Sequence, residues 1–76
     1  MNNNQVRYAI VVEKSENGFG AYVPDLPGCA ATGGTEAEVL AAIRTGIELY
    51  IEELKLRGQT APVPTTRCTE IEVRSN

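Results

Sequence analysis

A single long amphipathic helix is the pattern that most limits how this chain of 76 residues can fold. Thr35 followed three residues later by Glu38 predicts a capping box at the helix start, and Gly58 is a typical stop. The apolar positions between them recur every three or four residues and form one stripe: Val39, Leu40, Ile43, Ile47, Tyr50, Ile51 and Leu54. At about 1.5 Å per residue, such a helix is about 33 Å long. We therefore expect it to pack on a small sheet and to overhang that sheet at the Tyr50 end, where a partner could make contact.

Four short segments have the composition of β-strands and would supply that sheet. They are rich in β-branched and aromatic residues: Arg7–Glu13, Phe19–Val23, Cys29–Thr32 and Thr69–Val73. Alternate residues of the first segment form an apolar row that is expected to face the core: Val6, Tyr8, Ile10 and Val12. The order β-β-β-α-β predicts an α+β fold, an antiparallel meander with one long helix packed on it. If the helix is a right-handed crossover, the last strand lies beside the first strand and parallel to it.

The segment Pro24–Gly28, between the second and third predicted strands, is expected to be rigid. Its two prolines have fixed φ, and its final glycine permits positive φ. Such a loop would present Asp25 and Leu26 in one geometry, which lowers the ordering cost of binding. Two interpretations stay open. The loop contacts a partner, or it only closes a tight corner between strands, and Leu26 is correspondingly an interface anchor or a core residue.

Size and charge restrict the classes of function. A domain this small buries only about 60% of the surface that its unfolded chain exposes, so self-association is an expected supplement to its stability. The net charge of −3, without a basic cluster, argues against autonomous nucleic-acid binding and suits a basic partner. No apolar run approaches the roughly 20 residues of a membrane helix, and the N-terminus lacks a signal-peptide pattern. We expect a cytoplasmic protein with no membrane contact.

Catalytic chemistry is not indicated by the residues present. Cys29 and Cys68 do not form a CxxC pair, and the chain has no histidine to act as a metal ligand or a base. Cys29 is expected to be a small buried hydrophobic residue. Two-metal nuclease chemistry would need acids on the first strand, the helix and a later strand, but Tyr8–Val12 contains none. We therefore expect no enzyme activity, no metal and no cofactor.

Three motifs occur together along the chain. They are the Phe19–Cys29 stretch with its PDLPGC core, the G-x-T-x-x-E pattern of Gly33–Glu38, and the amphipathic helix through Leu49 and Tyr50. This combination resembles the HicB-like domain of bacterial and archaeal type II toxin–antitoxin systems, and the similarity extends from Tyr8 to Val73. The resemblance implies a partial RNase H-like fold. It also implies an antitoxin role, in which the domain binds a small basic HicA-type mRNA interferase and covers its active site.

The short C-terminal segment after Val73 bears on whether DNA binding is expected and on which partners are expected. Many HicB-like antitoxins carry a C-terminal DNA-binding module, whereas only Arg74–Asn76 follow Val73 here, so direct DNA binding is not expected. We interpret residues 1–76 as one domain with disordered tails at 1–5 and 74–76. Besides the HicA-like toxin, the expected partner is a second copy of the chain in a homodimer or higher homo-oligomer. An alternative function is a solitary homo-oligomeric HicB-like module without a cognate toxin.

Six residues are expected to contact a partner, and none is expected to be catalytic. They come from the second strand, the rigid loop and the helix: Tyr22, Asp25, Leu26, Glu48, Tyr50 and Glu52.

Overall fold

Three antiparallel strands and one helix make up the regular structure of residues 6–75, which are the residues that this computed structural model describes. The strands are β1 (Val11–Ser15), β2 (Gly18–Tyr22) and β3 (Ala30–Gly33), and the helix α1 (Glu36–Leu56) follows them. The sheet order is β1-β2-β3. The predicted α+β class and the order of meander and helix are confirmed. The predicted N-terminal tail, residues 1–5, lies outside the described residues, as does Asn76.

The register of the sheet decides which side chains lie under the helix. Val12 is opposite Ala21, and Val11 is opposite Tyr22. Directly opposed residues of antiparallel strands point to the same face. Ala21 is buried, so Val12 and Ala21 share the face that α1 covers, while Val11 and Tyr22 share the other face, called here the open face.

The core lies between the sheet and α1 and contains six buried side chains: Ala21, Val23, Leu26, Cys29, Val39 and Ile43. Partly buried residues pack around them: Tyr8, Ile10, Val12, Phe19, Ala31, Ile47 and Tyr50. The prediction that Tyr8, Ile10 and Val12 face the core is confirmed, as is the burial of Cys29. Val6, at the start of the same apolar row, is exposed.

Both ends of α1 follow the signals in the sequence. The Thr35 hydroxyl accepts a hydrogen bond from the Glu38 backbone N–H (3.1 Å), and Glu38 Oε1 accepts one from the Gly34 N–H (2.9 Å). At the other end the Gln59 N–H donates to the Leu54 carbonyl (2.8 Å) and Gly58 has φ of +72°. This is the Schellman arrangement, in which a left-handed glycine ends the helix.

The strands are shifted from their predicted bounds. β1 begins at Val11 instead of Arg7 because its partner strand ends at Tyr22. The next residue, Val23, leaves the ladder and donates its N–H to the Cys29 carbonyl across the following loop (3.0 Å). Residues 6–10 therefore lie beyond the paired part of the sheet. β2 begins and ends one residue earlier than predicted, and β3 begins and ends one residue later.

The predicted last strand, Thr69–Val73, is not formed, because residues 59–75 have no regular secondary structure. Its apolar side chains lie in solvent, with Ile71 81% exposed and Val73 74% exposed. Contacts of Thr65 and Thr66 with Asp25 hold the preceding chain at the loop after β2. Within the described residues β1 pairs with β2 alone, so the predicted parallel pairing of the last strand with the first is not observed.

Candidate partner-binding surfaces

The loop between β2 and β3 is a rigid corner closed by its own backbone. The Val23 N–H donates to the Cys29 carbonyl, the Leu26 N–H to the Val23 carbonyl and the Cys29 N–H to the Leu26 carbonyl, each at 3.0 Å. Leu26 is 0% exposed and fills the core beneath the loop. Of the two interpretations of Leu26, the structure supports the core residue, since a side chain without exposed surface offers no contact to a partner. Gly28 has the positive φ expected of it, +84°.

Asp25, on the same loop, clamps the chain that follows the helix. Its Oδ2 accepts hydrogen bonds from the backbone N–H groups of Thr65 (2.9 Å) and Thr66 (3.0 Å). Its Oδ1 accepts from both threonine hydroxyls, at 2.9 Å and 2.8 Å. These donors, led by the Thr66 backbone N–H, lower the pKa of Asp25 from 3.8 to about 2. The carboxylate is therefore already occupied by its own chain and is a structural clamp in this conformation.

A second contact fixes the same connecting segment. The Tyr8 hydroxyl donates to the Pro62 carbonyl at 2.6 Å. Burial, followed by the negative charge of Asp25, raises the pKa of Tyr8 above its ordinary value. Sequence reasoning missed both contacts because their partners lie 40 or more residues apart. The pair of threonines after the prolines is the one local signal that could have indicated an acceptor nearby.

Tyr22 marks the open face of the sheet. It is 45% exposed, and the register places Val11 and Ala30 on either side of it. The next row along the strands carries Gly20 opposite Thr32. Glu13 is opposite Gly20 in that row and is exposed, so the open face combines the Tyr22 ring with a carboxylate that a partner could contact.

Glu48 and Glu52 lie on the solvent side of α1, on the layer opposite Tyr22. Glu48 is 3.9 Å from Arg44, an exposed pair of the kind that contributes little stability. Tyr50 is on the inner side of the helix, where it packs against the core, so it does not belong to an overhanging end. The six residues predicted to contact a partner thus do not form one surface. They divide among the open face, the outer face of α1 and the interior.

An apolar groove, which no sequence pattern singled out, runs along the flank of the molecule beside β1. It has a volume of about 540 Å³. The segment before β1 and the helix line it mostly with apolar side chains, together with the charged pair Arg44 and Glu48: Val6, Tyr8, Ile10, Leu40, Ile47 and Ile51 are the apolar ones. The groove exists because α1 packs chiefly on β3 and β2, which leaves the β1 side of the helix uncovered. The groove could accommodate a row of apolar side chains from another segment.

Reactive groups are not brought together in residues 6–75. Within that range no three His, Cys, Asp or Glu side chains converge as metal ligands would. Glu70 and Glu72 are exposed in the last segment, and Glu48 is exposed on the helix. Burial raises the pKa of the Cys29 thiol, which disfavours the nucleophilic thiolate. Among the described residues, no helix combines the length and apolar character that a bilayer crossing needs.

A three-stranded antiparallel sheet with one covering helix and a rigid corner defines a small α+β module. The chain belongs to the family described as HicB-like antitoxins of bacterial toxin–antitoxin systems, which matches residues 8–75.

Individual relatives agree with this assignment. A UPF0150 protein of Thermoplasma acidophilum is 38% identical over 58 residues, which is 75% of this chain and 84% of the relative. A UPF0150 protein of Helicobacter pylori is 47% identical over 45 residues, covering 59% of this chain and 62% of the relative. Among solved structures, a chain of the HicA3 and HicB3 toxin–antitoxin complex superimposes with a TM-score of 0.65 and 32% identity, over 79% of this chain and 70% of that one.

Proposed function

We propose that this chain is an antitoxin that binds a small basic ribonuclease of the HicA type and inhibits it by covering its active site. The observation that carries the proposal is its likeness, in both sequence and fold, to a chain of a HicA–HicB toxin–antitoxin complex. Membership of the antitoxin family supports the same role. The chain acts by binding and not by catalysis, since its acids are dispersed and the thiol of Cys29 lies in the core.

The outer face of α1 is the surface that we assign to the toxin. Glu48 and Glu52 stand one helical turn apart and are exposed, which suits a partner of opposite charge. Electrostatic complementarity of this kind mainly accelerates association. Tyr22 lies on the opposite layer and is assigned no toxin contact.

Charge reversal at two matched positions tests this surface. Glu52→Lys and Glu16→Lys change the net charge equally, and both glutamates are exposed. Neither belongs to the two ion pairs of the described residues, Arg44–Glu48 and Arg57–Glu53. We expect Glu52→Lys to slow association with the toxin several-fold at low salt, with the difference shrinking at high salt. Association rates from surface plasmon resonance at two salt concentrations measure the effect, and equal rates for the two variants would contradict the assignment.

Competition with RNA tests the mode of inhibition. If the antitoxin covers the active site, a non-cleavable RNA bound to the toxin must lower the apparent affinity of the antitoxin. Calorimetric titration with and without that RNA measures the difference. Equal affinities exclude occlusion while leaving binding intact. If the adjacent gene encodes no HicA-type ribonuclease, or encodes one that does not bind this chain, the solitary homo-oligomeric module is favoured.

A further inference from the structure

The outer edge of β1 offers an unpaired row of backbone groups. β1 pairs with β2 on one side, and within residues 6–75 no strand pairs with its other side. Such an edge is a template for another strand, and native proteins generally cover it. The apolar groove described above lies next to the start of this edge, between residues 6–10 and α1, where a strand paired with β1 and extended past Val11 would meet it. A strand added here would therefore bury one row of its side chains against Leu40, Ile47 and Ile51.

The last described segment, residues 67–75 and called here the arm, has the side-chain pattern that such a strand needs. Thr69, Ile71 and Val73 alternate with charged residues, and both of the larger apolar side chains of this row are mostly exposed. Alternation of this kind is typical of a strand with one face buried. The arm thus carries a strand pattern without a partner strand among the described residues.

Two contacts of the connecting segment fix where the arm begins. The chain first contacts the line of β1, where Tyr8 holds Pro62. It then moves to the loop after β2, where Asp25 holds Thr65 and Thr66. Beyond the clamp, Ile71 and Val73 are 81% and 74% exposed, so neither side chain is packed in the groove of its own chain. The arm therefore remains available to a second molecule.

We propose that the arm pairs with the outer edge of β1 in a second copy of the chain, and that two copies exchange arms reciprocally. Ile71 and Val73 of one copy then fill the groove of the other. Reciprocal exchange closes a two-fold dimer, the commonest symmetry of homo-oligomers. It covers the outer edge of β1 in both copies with residues that the single chain leaves in solvent.

Charge indicates that the exchanged strand runs parallel to β1. With Ile71 in the groove, Glu70 and Arg74 lie on the open face, in line with the row that contains Arg7 and Glu13. A parallel strand places Glu70 towards Arg7 and Arg74 towards Glu13. An antiparallel strand would oppose charges of like sign, which is destabilising across a sheet.

Light scattering on the full chain tests whether the arm joins the copies. Ile71→Asp places a charge in the exchanged row, and Val63→Asp is its matched control, because Val63 is similarly exposed, at 76%, but lies upstream of the clamp. We expect the wild type and Val63→Asp to have twice the mass of one chain, and Ile71→Asp to have half the mass of the wild type. Circular dichroism checks that each variant keeps α1. A monomeric wild type, or a dimeric Ile71→Asp, overturns the proposal.

Isotope-filtered NMR on a mixture of labelled and unlabelled chains separates exchange from pairing within one molecule. Exchange predicts contacts between the Ile71 or Val73 methyl groups of one chain and the Ile47 or Ile51 methyl groups of the other. Contacts confined to one chain would show that the arm folds back on its own β1, and the proposal would then be wrong. Neither experiment depends on a toxin.

Discussion

Adjacent residues of the rigid corner have opposite roles. Asp25 points to the connecting segment and accepts four hydrogen bonds from it, whereas Leu26 points inward and is fully buried. The sequence predicts the rigidity of this corner, because proline and glycine act locally on the backbone. It does not predict which side chain points inward, because that depends on the three hydrogen bonds that close the loop in three dimensions.

Leu26→Ala is expected to lower the free energy of unfolding by about 2–5 kcal/mol, because it leaves a cavity in a small core. Leu56→Ala removes the same atoms from a side chain that is 78% exposed, and we expect it to change stability by no more than about 0.5 kcal/mol. Urea denaturation followed by circular dichroism measures both variants. Similar losses for the two would show that Leu26 is not the core residue described here.

At the scale of elements, the helix was predictable and the sheet only partly so. The Thr35 cap, the Gly58 stop and the apolar stripe are local patterns, and the structure confirms the first two at their expected positions. Strand bounds depend on a partner strand that is distant in sequence. Arg7 to Ile10 have strand-like residues, yet β2 ends before it can pair with them. The same dependence explains why a strand pattern in the arm does not form a strand in the single chain.

The N-cap of α1 can be tested with a matched pair of threonines. Thr35→Ala removes the hydroxyl that accepts the Glu38 N–H, and we expect it to lower stability by about 1 kcal/mol. Thr45→Ala makes the same substitution at an exposed position inside the helix, where alanine is the better helix former and stability should stay the same or rise slightly. Thermal unfolding of both variants gives the comparison. A loss at Thr45 equal to that at Thr35 would argue against the cap.

At the scale of the whole molecule, the Asp25 clamp joins the two ends of the fold. It connects the loop after β2 to residues 40 and 41 positions later, on the far side of β3 and α1. No spacing in the sequence reveals such a contact, because the carboxylate and its threonine donors meet only after the helix has returned the chain to this end of the sheet. The candidate surfaces could likewise be predicted from the sequence only in part. Acidic positions on the helix can be read from the sequence, but the groove beside β1 arises from how the layers pack.

The pKa of Asp25 makes the clamp sensitive to acid. Because the folded pKa is about 2 and the ordinary value is 3.8, the unfolded chain binds the proton more readily, and stability falls as the pH drops from 3.8 towards 2. Above that window the contribution of the clamp is fully present. Asp25→Asn should remove this part of the pH dependence and speed hydrogen exchange at the Thr66 amide. Asp25 is the sole aspartate of the chain, so its carboxyl carbon can be titrated by NMR without ambiguity, and an ordinary pKa there would contradict the clamp.

The clamp also determines how the molecule would respond to force. The hydrogen bonds between Asp25 and Thr66 close a loop of the chain that contains β3 and the whole of α1. Tension applied to the arm is carried by the bonds at Thr65 and Thr66 into the loop and from there into the sheet, so α1 bears no load until those bonds break. A partner that draws the arm away would therefore pull on the sheet, while the helix keeps its shape and its outer face.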